Sequence, residues 1–279
     1  MKDSFRIVRQ FAVVIAIALF LYGCGNNGGS SSDGADADSS SLSPDVGSAV
    51  VQVPVEERRI AIVHSQTSKV NFYDPFAYNQ LFASVQHQAM MAGLPFDLLD
   101  EQQLAGSANL LNYDAIVIPA FANVKDTDRS AIVTRLLEAQ QNGVGIITSG
   151  EFLGLREDGS SYADYVSAMV SVLGVQPSEF LNGVTASVKI ADNTHPVSKT
   201  YEPGEEVVSY KQIWFANFTA ASGEQSTPLT LIESDEGIYN GAQVIERAGR
   251  VVHFSNDQIM ADNNQLWRCL LYTSDAADE

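Results

Sequence analysis

The chain has 279 residues, with 34 acidic against 16 basic side chains and a formal net charge of −18. That excess speaks against nucleic-acid binding and against docking on anionic lipid through a basic face. The only cysteines, Cys24 and Cys269, lie outside the stretch that reads as a folded domain, which excludes disulfides, thiolate–zinc sites and a cysteine nucleophile from it.

Lys2, Arg6 and Arg9 precede an apolar run from Phe11 to Tyr22. As a helix that run spans about 18 Å, short of the roughly 30 Å hydrocarbon core, so it reads as the apolar region of a signal peptide. Leu21-Tyr22-Gly23-Cys24 resembles a bacterial lipobox, with Tyr22 where a small residue is usual. Residues 1–24 are therefore expected to be a lipoprotein signal peptide, with Cys24 as the lipid attachment and the membrane as partner through that lipid. The domain is expected to be exported and anchored to the cell envelope. Gly25 after the cysteine points to the outer membrane if the cell is Gram-negative. Residues 25–55, rich in Gly, Ser and Asp, read as a flexible tether.

The folded domain is expected over 56–268. Arg59–His64 is a short apolar run, as in a strand covered on both faces. After a polar loop, Asp74 is placed to cap a helix that has Pro75 in its first turn. Pro95–Leu99 and Tyr113–Pro119 read as strands. Asp126 or Thr127 caps a second helix, which ends at Asn142-Gly143, and Val144–Thr148 is a fourth strand. Such alternation builds a parallel sheet with helices on both faces, and ligands in such sheets sit at the carboxyl ends of the strands. From about Val184 the pattern changes to shorter β-like runs. These are Val184–Ile190, Glu206–Tyr210, Leu229–Glu233 and a hairpin of Gln243–Arg247 with Arg250–Phe254 around Ala248-Gly249.

Four segments, taken in order, resemble the class I glutamine-amidotransferase-like superfamily: Tyr113–Val124 (YDAIVIPAFANV), Asn142–Phe152 (NGVGIITSGEF), Asp192–Lys199 (DNTHPVSK) and Ala248–Asp257 (AGRVVHFSND). Within it the chain is similar to the non-glutaminase branch of ThuA-like domains and β-galactosidase trimerisation domains, over residues 58–268. The resemblance implies an α/β, flavodoxin-like three-layer sandwich with a mostly parallel sheet and a β-rich C-terminal elaboration. Family glutaminases carry a nucleophilic cysteine on a tight turn after the fourth strand. Here Thr148-Ser149-Gly150-Glu151 stands there, and Ile147 and Glu151 occupy the glycine positions of a Gly-x-Ser-x-Gly elbow. A fainter resemblance is to the front part of bacterial polysaccharide-deacetylase-like proteins, whose catalytic domain would follow.

Catalytic candidates are Ser149, Glu151 and His195. The expected ligand cleft comprises His64, Tyr73, Asp74, Phe121, Glu151, His195 and Asp257. His87 reads as a surface residue of the first long helix and His253 as a buried strand residue. Tyr73, Tyr162, Trp214 and Phe215 could stack on sugar rings, with core or edge packing as the simpler role. No short-range ligand pair supports a metal among His64, His195, Glu151 and Asp257, so neither metal nor cofactor is expected. The leading expectation is a non-catalytic accessory domain of a cell-surface lipoprotein, binding carbohydrate or serving polysaccharide processing. A ThuA-like hydrolase or sugar-modifying enzyme and a structural module that forms homo-oligomers are the alternatives. Residues 269–279 (CLLYTSDAADE) resemble a translated sequencing adapter, and the natural sequence is expected to end near Arg268, in mid-protein, before any catalytic domain.

Overall fold

A computed structural model describes residues 59–262. The segments expected to be a signal peptide with Cys24, a tether and an adapter-like tail lie outside the described residues. The parallel strands are β1 (Ile60–His64), β2 (Phe96–Asp100), β3 (Ala115–Ile118), β4 (Gly145–Ser149) and β9 (Val251–Phe254). The remaining strands are β5 (Val175–Ile190), β6 (Glu206–Ala220), β7 (Ser226–Ser234) and β8 (Gly237–Ile245). The helices are α1 (Gln66–Asn71), α2 (Pro75–Met91), α3 (Asp126–Gln141) and α4 (Asp257–Asp262).

Among the described residues the nine strands form one sheet in the order β2-β1-β3-β4-β9-β8-β7-β5-β6. The expected α/β architecture is present, but the sheet is not mostly parallel. Pairings from β2 through to β9 are parallel, and those from β9 through to β6 are antiparallel. The β-rich part is thus a continuation of the sheet. The junction is β9, which lies parallel to β4 on one side and antiparallel to β8 on the other. The hairpin expected around Ala248-Gly249 supplies that junction.

Alternation along β1 sorts the two cores. Ile60 and Ile62 join one cluster with Val117, Ile147 and the α2 residues Val85 and Ala89. Ala61 and Val63 join the other with Ile116, Ile118 and the α3 residues Ile132 and Leu136. Side chains alternate across a strand, so α2 and α3 cover opposite faces, giving three layers.

Asp74 caps α2, its Oδ1 accepting from the Phe76 amide at 2.9 Å, with Pro75 in the first turn. At α3 the expected cap is displaced by one residue. Lys125 holds the cap position without a side-chain hydrogen bond, while Asp126 and Asp128 complement the dipole from the first turn. The polar loop expected after β1 instead forms α1, capped by Ser65, whose Oγ accepts from the Ser68 amide at 2.9 Å.

The runs read as Val184–Ile190 and Glu206–Tyr210 are the ends of much longer strands, β5 and β6. These pair as a ribbon with register shifts at Pro177/Glu179, Leu181/Val184 and Val184/Ala186. Bulges bend a ribbon. Accordingly Leu181, Val184, Ile213 and Phe215 pack in the first core, and Val175, Ala216 and Phe218 in the second.

Candidate functional site

The carboxyl ends of β3 and β4 carry three left-handed residues, Ala120 (φ 48°), Gly150 (φ 59°) and Leu153 (φ 50°). For Ala120 and Leu153 that conformation costs about 1–2 kcal/mol each, and such strain clusters at functional edges. At the tight turn after β4 the left-handed position is glycine. A Cβ there would lie 3.1 Å from Asp257 Oδ1, so Asp257 fills the space a side chain at that turn would take.

Ser149, one residue earlier, has no exposed surface. Its Oγ donates to Asp257 Oδ1 at 2.7 Å and accepts from the Ala120 amide at 3.4 Å. The serine therefore ties β4 to β3 and α4. Glu151 accepts a short hydrogen bond from the Tyr165 hydroxyl. Sequence reading did not single out Tyr165, since nothing in the chain marks a partner 14 residues away.

The structure brings Ser149, Glu151 and Asp257 together and places His195 elsewhere. His195 Nδ1 accepts from the Val197 amide at 3.2 Å, in a turn following β5. Burial and then Arg250 hold its imidazole below the ordinary value. The Arg250 carbonyl accepts from the Ile146 amide at the start of β4, whereas Ser149 ends that strand. His195 thus sits at the amino-terminal edge of the parallel strands, about 10 Å or more from Ser149. The reason is topological: antiparallel β5 runs downward, so the loop after it opens on the other edge.

Phe121 also leaves the expected cleft. It is fully buried and meets Phe152 edge-on at 6.1 Å. His64 ends β1 at the correct edge but packs edge-on against Phe82 at 4.8 Å and Tyr78 at 5.5 Å. Burial and then Lys69 hold its imidazole low. Tyr73 is 86% exposed. Partial shielding and then the charges of Asp257 and Asp74 raise its phenol above the ordinary value. His87 is exposed on α2. Of the remaining aromatic candidates, Phe215 and Tyr162 are buried and Trp214 is 46% exposed. Tyr162 is flanked by the Arg129 and Arg156 guanidinium groups at 4.1 and 4.5 Å, beside a cavity of about 470 Å³ at the start of α3.

The histidine nearest this turn is His253. Its Nε2 lies 2.9 Å from the Gly150 carbonyl, which can only accept, so Nε2 carries the proton. Burial depresses its imidazole to about 4. Neutral, enclosed and turned to a carbonyl, it holds the turn in place and has no contact with Ser149 through which to act as its base. Among the described residues no three His, Asp or Glu side chains converge as metal ligands. At this edge the Tyr165 hydroxyl is engaged by Glu151 and Asp257 by Ser149.

Asp257 and His253 make opposite demands on pH. Burial pushes the Asp257 carboxyl up to about 6, with Ser149 opposing and Glu151 adding to the rise. Its stabilising contribution is complete below the unfolded value near 3.8 and is lost as pH rises through 6, roughly 2–3 kcal/mol in all. His253 contributes above 6.5 and loses that contribution as pH falls through 4. Between pH 4 and 6 the two slopes oppose each other. Asp257→Asn is expected to raise the melting temperature at pH 8 and to expose a rising slope from pH 4 to 6.5. A wild-type-like profile of melting temperature against pH for this variant would show that Asp257 is not the desolvated group.

No protein-family model matches the sequence, and no curated protein does. Solved structures do share the fold. A β-galactosidase from Bacillus circulans sp. alkalophilus aligns over 80% of this chain and 31% of its own, with a TM-score of 0.60 and 12% identity. A β-galactosidase from Rahnella sp. R3 aligns over 77% of this chain and 31% of its own, with a TM-score of 0.58 and 13% identity. A ThuA-like protein from Bacteroides uniformis aligns over 77% of this chain and 89% of its own, with a TM-score of 0.51 and 13% identity. The chain therefore corresponds to about a third of each β-galactosidase and to most of the ThuA-like protein. At these identities the likeness is one of fold: an α/β architecture found both as a ThuA-like protein and as part of β-galactosidases.

Proposed function

We propose that this chain is a non-catalytic, carbohydrate-associated accessory domain, exported and held to the cell envelope by a lipid on Cys24. The observation that carries the non-catalytic reading is the turn after β4. Gly150 takes the left-handed position, Asp257 fills the space beside it, and Ser149 is sealed beneath. Nucleophilic hydrolysis needs an accessible nucleophile with a base in reach, and neither Ser149 nor the distant His195 supplies one. The carbohydrate association is supported by the fold shared with part of two β-galactosidases. Its working partner is then polysaccharide or a polysaccharide-processing enzyme, and self-association is a second mode open to the same fold.

Two measurements test the reading. The chain is expected to be inert toward ester and glycoside chromogenic substrates while retaining binding to a cell-surface polysaccharide in affinity electrophoresis. Turnover abolished by Ser149→Ala would overturn the non-catalytic part. For the anchor, Cys24→Ser is expected to move the protein from the membrane to the soluble exported fraction and to abolish palmitate labelling. Unchanged labelling would place the lipid elsewhere.

A further inference from the structure

We infer that the outer face of the β5–β6 ribbon, around Phe180 and Trp214, is a stacking platform for the sugar rings of an extended polysaccharide. This rests on the carbohydrate reading above and gives it a site away from the β4 turn. Phe180 lies opposite Ala216 and Leu181 opposite Phe215 in the antiparallel register. Opposed residues share a face, and so do residues two apart on a strand. Phe180 and Trp214 therefore stand diagonally on one face, beside Ala216 of the second core, while Leu181 and Phe215 turn to the first core. The exposures agree: Phe180 is 58% and Trp214 46% exposed, against 3% and 5% for Leu181 and Phe215.

Gly183 takes the left-handed conformation under the edge of the indole. Its φ is +66°, and a Cβ there would sit 3.5 Å from Trp214 Cζ2 and 3.1 Å from Gln212 Nε2. The Cζ2 edge of the ring thus lies over the Gly183 backbone, with part of the ring open to solvent. The strand beneath is held by Asn256, whose Nδ2 donates to the Trp214 carbonyl at 2.5 Å. Exposed Gln212 and Asn182 flank the rings, each amide offering a donor and an acceptor to adjacent hydroxyls.

The size of the patch selects its occupant. Two aromatic side chains present at most about 300–500 Å², below the roughly 800 Å² that each partner of a stable protein interface contributes. A net charge of −18 further opposes a second copy. A neutral polymer with an apolar C–H face and hydroxyl edges matches both the rings and the amides.

The test is titration of the full chain, in mild detergent, with soluble oligosaccharides of β-glucan, β-galactan and chitin type, followed by calorimetry and tryptophan emission. At least one probe should bind and perturb the emission. Trp214→Ala should weaken binding about tenfold and Phe180→Ala severalfold, whereas Trp214→Phe should retain most of it. Melting temperatures of these variants should stay near wild type, because both rings are half exposed. Loss of binding on Tyr73→Ala with Trp214→Ala unaffected would overturn the platform and move the ligand to the β4 edge, leaving the carbohydrate reading intact. Absence of binding to every probe would overturn both.

Discussion

Replacing Gly249 with alanine is expected to destabilise the domain by about 3–5 kcal/mol, lowering its melting temperature by roughly 10 °C. A Cβ at this position would lie 2.1 Å from the Val144 carbonyl oxygen and 2.8 Å from that of Gln140. Both are backbone atoms, so no side-chain rotation relieves the clash. The turn itself must move, yet it is held on both sides. The neighbouring Arg250 carbonyl accepts from the Ile146 amide at 2.9 Å, and Val251 pairs with Ile146 of β4 and Ile245 of β8. Shifting the turn loosens the one strand that joins the parallel and antiparallel halves. Gly143→Ala is the control: that residue has φ +91° but nothing within 4 Å of a Cβ, so the cost is conformational, about 1 kcal/mol. Urea unfolding of the two variants measures the difference. Equal losses would mean that the β8–β9 turn does not press on the end of α3.

This turn also marks how far the sequence could be read. Ala248-Gly249 between two apolar runs signals a hairpin through local chemistry, and the hairpin is there. What the local signal lacks is the third partner, because the approach of Val144 is a matter of tertiary packing. The same division holds elsewhere. The buried parallel strands and the Asp74-Pro75 helix start are written in short-range pattern and composition. The long ribbon was legible only at its regular ends, since bulges at Pro177, Leu181 and Val184 break the alternation that identifies a strand. Strand direction misled the reading of the site. His195 comes soon after a β-like run and His64 ends one, but β5 runs antiparallel, and that one fact puts its loop on the opposite edge. Phe121 follows β3 at the expected edge, and only packing against Phe152 turns it inward. Asp257 and Glu151 were legible as polar residues at strand ends; the burial that shifts the Asp257 carboxyl was not.

The second large effect is expected at Glu101, which immediately follows β2. It is 6% exposed and accepts three hydrogen bonds: from Ser65 Oγ at 2.5 Å, the Thr67 amide at 2.8 Å and Thr67 Oγ1 at 2.7 Å. Both donor residues are themselves buried. Glu101→Ala strands three donors away from water at about 1–3 kcal/mol each, partly relieved by water entering the gap, for a net loss of about 3–5 kcal/mol. Glu101→Gln keeps one carbonyl acceptor, and the Thr67 hydroxyl can accept from the new amide, so its loss should be about 1–2 kcal/mol. The damage should also spread in a defined direction. Ser68, one residue along α1, donates through Oγ to the Asn123 carbonyl at 2.8 Å and accepts from the Asn123 amide at 3.1 Å. Glu101 therefore fixes the end of β1, and Ser68 passes that order to the loop after β3, where Ala120 keeps its left-handed backbone against Ser149. Hydrogen exchange should accelerate at Thr67, Ser68 and Asn123 in the alanine variant, with the β7–β8 amides near their wild-type rates once global stability is allowed for. Acceleration confined to Thr67 would break the chain of contacts at Ser68, and the rim of the β4 turn would then be ordered by Ser149 and Asp257 alone.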